Sequence, residues 1–195
     1  MKGDWPVEKQ QQATIVYWDT FVHPIFQNRA LYLAATDSGL CQITLPNEAS
    51  FDTVRAWIGK RIPDARLVQD PERLSAYSRQ LKEYCDGTRK RFTFPLDFRG
   101  TKFQNAVWQA LADIPFGETR SYAEIARTIG NPKAVRAVGT ANGKNPIPIV
   151  VPCHRVIGAN RTLTGFRGGL RMKEDLLRLE GVRTFTNTGH ERFQF

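Results

Sequence analysis

No stretch of this sequence approaches the roughly 18 consecutive apolar residues of a membrane-spanning helix. The opening Met1-Lys2-Gly3-Asp4-Trp5-Pro6 lacks an apolar core, which argues against a secretory signal. Cysteine is scarce: Cys41, Cys85 and Cys153 are an odd number, widely spaced, with no Cys-x-x-Cys pair. That pattern excludes a disulfide framework and disfavours structural zinc and thioredoxin-type chemistry. The chain reads as reduced and cytoplasmic. No internal repeat or low-complexity tract interrupts it. Acidic residues are short in one half. Residues 1–97 carry 13 Lys/Arg against 12 Asp/Glu, whereas residues 98–195 carry 15 against 7. The net charge of +9 therefore lies almost wholly in the second half, the footprint of a polyanion partner or of a solvated basic face.

What is present is a 195-residue chain with ample core for one large domain or two small ones. Residues 13–21, 29–36 and 40–45 alternate as strands, with turn signals at His23-Pro24 and Asp37-Ser38-Gly39, and read as an antiparallel meander. Helical patterns follow at 50–60 and 71–85, the second opening on Pro71. From Thr101 the texture changes. Residues 101–113 form an amphipathic helix with Phe103, Val107, Trp108 and Leu111 inward. Ser121-Tyr122-Ala123-Glu124 is a capping box for the next helix, whose apolar side is Ile125, Ala126 and Ile129. Gly130 ends that helix, and a turn of three or four residues leads to a third at 132–142, capped by Asn131 with Pro132 at its first position. This is a helix-turn-helix signature.

Helix 132–142 divides into three faces. Val135 and Val138 point inward, and Lys133, Arg136 and Thr140 make a basic stripe. Ala134, Ala137 and Ala141, with Gly139 nearby, leave a surface almost without side chains. A major-groove reader offers bidentate side chains. Bare backbone with one central arginine suits close approach to a widened minor groove, or else close helix packing.

Beyond it, Pro146, Pro148 and Pro152 stiffen the approach to Cys153-His154, a thiol beside an imidazole. Such stiffening has no use in a core strand. Adjacent strand residues point to opposite faces, so either the chain turns at Cys153 or a water bridges the two groups. A last helix spans 170–179. Glu180 shares the face of Leu176 and Leu177 at its C-terminus, where the dipole disfavours an anion. It either frays into solvent or orients His154 as the third member of a triad.

Pro152-Cys153-His154-Arg155-Val156 resembles the active-site signature of the O6-alkylguanine-DNA alkyltransferases. The resemblance runs from Thr101 to Gly181 through Phe116-Gly117-Glu118, Ser121-Tyr122, Gly130-Asn131-Pro132, Arg136-Ala137-Val138-Gly139, Asn145-Pro146, Gly168-Gly169-Leu170 and Leu179-Glu180-Gly181. It implies an α/β protein of two domains. Residues 1–97 would be an N-terminal antiparallel sheet with helices, ribonuclease H-like. Residues 98–195 would be a mostly helical, winged-helix-like domain that binds DNA and transfers alkyl groups.

The resemblance also implies residue roles. Cys153 is the alkyl acceptor, His154 its base through a water, Glu180 the acid behind the histidine, and Asn145 the hinge between recognition helix and active-site strand. Tyr122 assists flipping and donates to the leaving guanine, and Arg136 fills the gap in the duplex. Lys133, Ala134, Ala137, Gly139 and Thr140 face DNA, while Val156, Gly165, Phe166, Arg167 and Gly168 wall the pocket. The implied activity is repair of O6-alkylguanine, and of O4-alkylthymine, in double-stranded DNA, a single irreversible transfer by a monomer without cofactor or metal. Phe166-Arg167 departs from the tyrosine and small residue of many relatives, so that Arg167 narrows the pocket or costs a donor to O6. The zinc cluster of some relatives has no counterpart in Cys41, Cys85 and His23. His190 stands in a C-terminal tail expected to be flexible. Two alternatives remain: a non-catalytic damage sensor, which in this family lacks the acceptor cysteine, and a helix-turn-helix regulator.

Overall fold

The alternating segments form strands β1 (Ile15–Phe21), β2 (Leu31–Thr36) and β3 (Gly39–Ile43), rich in β-branched and aromatic residues. They pair antiparallel, with Tyr17 opposite Ala35 and Leu33 opposite Ile43. The computed structural model describes residues 13–186, so Met1–Pro6 and His190 lie outside the described residues. A fourth strand, β4 (Arg66–Gln69), lies parallel to β1, with Ile15 against Arg66 and Tyr17 against Val68. The sheet, ordered β3-β2-β1-β4, is therefore mixed rather than antiparallel. The cause is helix α1 (Phe51–Arg61) between β3 and β4, a crossover long enough to return the chain in the same direction. Four residues are too few for their periodicity to be seen in the sequence.

Helix α2 (Pro71–Cys85) begins where Asp70 accepts from the Arg73 amide at 2.9 Å, with Pro71 in the first turn. Capping boxes open α3 (Lys102–Ala112), through Thr101 and Gln104, and α4 (Tyr122–Thr128), through Ser121 and Glu124. Helix α5 (Val135–Gly143) starts later than expected. Asn131 does not cap it: Ala134 takes that place without a side-chain bond, and its amide closes a turn onto Asn131 O at 3.0 Å. Proline disfavours helical geometry in the residue before it, so the chain spends 129–134 on the connection rather than three or four residues. Two residues change face as a result. Val135 is 38 % exposed, and Ala141 is buried, its carbonyl accepting from Trp108 Nε1 at 2.9 Å. Val138 points inward as expected.

The last helix, α6 (Leu170–Leu179), packs against the segment holding the thiol. One cluster of buried side chains joins the halves, taking Leu33, Leu81 and Tyr84 from the first and Trp108, Val138 and Cys153 from the second. Among the described residues no helix is long and apolar enough to cross a membrane.

Candidate active site

Asn145 follows α5 and is 1 % exposed. Its Nδ2 donates to Val151 O at 2.8 Å while its Oδ1 accepts from the Ile147 amide at 3.0 Å, which closes the proline-rich loop on itself. Within that loop Ile149 is held at φ 76°, a left-handed conformation costly for a β-branched residue. The loop delivers Cys153–Arg155 as a 3-10 turn, with the Arg155 amide on Pro152 O at 2.9 Å. The chain thus turns at the thiol. The expected active-site strand starts only at Val156, where β6 (Val156–Ile157) pairs parallel with β5 (Arg120–Ser121).

His154 is wholly buried. Its Nε2 lies 2.8 Å from Glu180 Oε1, and its Nδ1 is buried with no hydrogen-bond partner among the described residues. Glu180 caps the C-terminus of α6 at 5 % exposure, so it does not fray. Its carboxylate accepts from four residues: from Tyr84 Oη at 2.6 Å, from His154, from Arg155 Nε and Nη2 at 2.8 and 2.9 Å, and from the Gly117 amide at 3.3 Å. Burial alone would raise the Glu180 pKa, but the hydrogen bonds and charges of His154 and Arg155 outweigh it and hold the group at about 2. Burial lowers the His154 pKa, more strongly than Glu180 raises it, and favours the neutral ring. The thiol of Cys153 is pushed up by burial, and Asn145, Arg167 and Lys173 offset this only in part.

Lys173 on α6 is fully buried and donates to Val156 O at 2.6 Å and Thr164 O at 3.1 Å. Desolvation brings its pKa down to about 8. The Thr164 side chain in turn meets the Tyr122 hydroxyl at 2.9 Å. Tyr122 is half-buried and its pKa is raised by burial, so the phenol keeps its proton. A Cβ on Gly139 would stand 3.8 Å from the Tyr122 ring, which puts this point of α5 against the tyrosine. Lys133, Arg136 and Ala137 are exposed, and Ala134 and Thr140 are half-buried.

A cavity of about 980 Å³ opens on Cys153. Asn145, Thr140, Gly165, Phe166 and Arg167 line it, as do Leu45, Asn47 and Glu48 from the first half of the chain. Val156 and Gly168 do not. Val156 supplies a carbonyl to Lys173, and Gly168 gives the loop room, since a Cβ there would meet Met172 Sδ at 2.6 Å. Arg167 is turned toward the first half: its Nε lies 3.0 Å from a Glu48 carboxylate oxygen and its carbonyl accepts from Asn47 Nδ2 at 2.8 Å. Sequence reasoning missed Tyr84, Lys173 and the Glu48 contact. Tyr84 carried one signal, its place with Leu74 and Leu81 on the apolar side of α2. Away from the site, His23 Nε2 contacts Asp86 at 3.0 Å, Cys41 donates to Ala34 O, and Cys85 belongs to the core.

Residues 29–98 match the family model of the 6-O-methylguanine DNA methyltransferase ribonuclease-like domain, and residues 102–182 that of its DNA binding domain. An inducible methylated-DNA–protein-cysteine methyltransferase of Bacillus subtilis is 46 % identical over 165 residues, covering 85 % of this chain and 90 % of that one. The enzyme of that name from Methanosarcina acetivorans is 50 % identical over 155 residues, covering 77 % and 99 %. A crystal structure of Mycobacterium tuberculosis OGT in complex with DNA superposes with a TM-score of 0.71 at 45 % identity, covering 84 % of this chain and 92 % of that one.

Proposed function

The chain belongs to the 6-O-methylguanine DNA methyltransferase family, and we propose that the cysteine it alkylates is Cys153. The protein repairs DNA by transferring an alkyl group from O6-alkylguanine to its own cysteine. The observation that carries the choice of residue is the network behind the thiol: the 3-10 turn of Cys153, the unpartnered Nδ1 of His154, and Glu180 on the far side of the ring.

Glu180 is an acceptor held ionised, so the proton of His154 sits on Nε2 and leaves Nδ1 as the free base. A water at Nδ1 relays the thiol proton, and the thiolate is the nucleophile. The Sγ–carbon bond forms as the carbon–O6 bond breaks, and the electron pair leaves on guanine. Tyr122, kept protonated by burial, gives the departing base a proton at O6 or N3 and recovers one from solvent. The thioether does not reverse, so each molecule acts once. Asn145 fixes the loop that presents the thiol.

A base inside a duplex cannot reach a buried thiol, so it must be flipped into the cavity. Double-stranded DNA is the partner. In this reading the exposed Ala137, with Ala134 and Gly139, lets α5 press into the minor groove, Arg136 takes the place of the displaced base, and Lys133 and Thr140 meet the backbone. Gly165, Phe166 and Arg167 wall the pocket, with Val156 and Gly168 supporting them, and O4-alkylthymine enters the same site. The protein works as a monomer in the cytoplasm, where DNA is the substrate and its three unpaired cysteines stay reduced. We place the domain boundary between 97 and 98, a division supported by family matches at 29–98 and 102–182.

Mass spectrometry after incubation with a duplex carrying one O6-methylguanine tests the assignment. Wild type gains one methyl on the peptide containing Cys153, and Cys153→Ala gains none. Equal gain in Cys153→Ala would sink it by placing the acceptor elsewhere, and no gain in wild type would sink it in favour of a damage sensor or a helix-turn-helix regulator.

A further inference from the structure

Tyr84 belongs to α2, in the first half of the chain, yet its hydroxyl lies inside the Glu180 cluster. The residue is 0 % exposed. It donates to Glu180 Oε1 at 2.6 Å and stands 3.4 Å from His154 Nε2. Burial, and then the charge of Glu180, raise its pKa well above the ordinary phenol value, so it remains a donor. Packing does not call for the hydroxyl. The ring lies against Phe92 and edge-on to Phe116, and a phenylalanine would fill the same space. A buried hydroxyl is costly unless bonded, and this one is bonded to the very oxygen that His154 uses.

We propose that Tyr84 is a positioning residue for alkyl transfer: its phenol fixes Glu180 Oε1 so that His154 presents Nδ1 toward the thiol. The N-terminal half thereby completes the network of Cys153, a role that rests on the acceptor assignment above. Oε1 takes Tyr84, His154 and Arg155 Nη2, while Oε2 takes Arg155 Nε and the Gly117 amide. Arg155 grips both oxygens with charge. Tyr84 adds a neutral donor, which holds Oε1 and disperses its charge without placing a second cation beside the imidazole. Without that donor the carboxylate is more basic, and it favours a proton on Glu180 or on His154 at higher pH. The other groups around this cluster, the cations Arg155 and Lys173 near His154 and the neutral Cys85 thiol near Tyr84, are untouched by deleting one oxygen.

The test is Tyr84→Phe, with Tyr77→Phe as the control. Tyr77 lies two turns earlier on α2 and packs edge-on to Phe94. Single-turnover rates are measured with free O6-benzylguanine and with methylated duplex across pH, and folding is followed by thermal melting. Tyr84→Phe is expected to slow both substrates about tenfold, the scale of one hydrogen bond to a charged group. It is also expected to move the acid limb of the rate profile to higher pH, and Tyr77→Phe to leave both unchanged. A wild-type rate and acid limb in Tyr84→Phe overturn the proposal. So does a slower rate that follows loss of folded protein with the acid limb unmoved. A wild type that takes up no alkyl group at all strikes the acceptor assignment instead, so the two failures are told apart.

Discussion

A carboxylate at the C-terminus of a helix meets the negative end of the dipole. Glu180 is held there because four neighbours donate to it, two of them able to carry positive charge. Its pKa falls from 4.5 to about 2, and the sign of the consequence follows. Above pH 4.5 the group is ionised in both folded and unfolded chains, and its full contribution is present. As pH falls the unfolded chain takes up the proton first, and the contribution is lost by the time pH passes through about 2. The amount is about 3 kcal/mol. Urea unfolding of wild type and Glu180→Gln should show a stability gap that narrows by about this much between pH 7 and pH 2. A gap independent of pH would mean that Glu180 titrates alike in the folded and unfolded chains, and a gap that widens toward pH 2 would mean that folding favours its protonated form. The sequence showed that Glu180 shares a face with Leu176 and Leu177. It did not show Tyr84, because a partner 96 residues away leaves no local pattern.

At the level of elements, helices read well and their frames less so. Residues 71–85 were legible because a proline opens the segment, and the structure adds the Asp70 cap that agrees with it. Helix α5 was displaced because its start is decided by a turn at Asn131–Ala134 and its rotation by Trp108 against Ala141. The loop carrying Arg167 is similar. The sequence marked Arg167 as a residue that narrows the pocket or costs a donor to O6; it lines the cavity, with its guanidinium against Glu48 and its carbonyl accepting from Asn47, across the junction between the halves. This contact ties the pocket wall to the first half and limits how far the loop can yield to a large adduct. Glu48→Gln should raise the benzyl-to-methyl preference about threefold, the scale of a partly exposed ion pair. Competition between the two adducts in duplex DNA measures it, and an unchanged ratio would show that the loop is not restrained by Glu48.

The whole molecule is divided in sequence texture and continuous in its interior. Leu81 and Tyr84 share one buried cluster with Trp108, Val138 and Cys153. Leu81→Ala should therefore cost about 2–5 kcal/mol and lower the stability of both halves together. Far-ultraviolet and near-ultraviolet circular dichroism should give one coincident unfolding transition, in the mutant as in wild type. Two separated transitions would show that the halves fold independently. Charge works at the same scale. The excess of Lys and Arg in residues 98–195 lies in the half with α5 and Cys153, and gives the polyanion an electrostatic reason to approach that half.

By itself the sequence determined the strands β1 to β3, the helical segments, the thiol–imidazole pair and the family. The elements rest on neighbours within a few residues, where periodicity, caps and prolines act directly, and the family on the resemblance of motifs from Thr101 to Gly181. Only the tertiary structure decided that β4 lies parallel to β1, that the chain turns at Cys153, and that Tyr84, Arg155 and Gly117 converge on Glu180. Those outcomes depend on which distant surfaces are buried together, and burial is what sets the energy of a hydrogen bond or a charge.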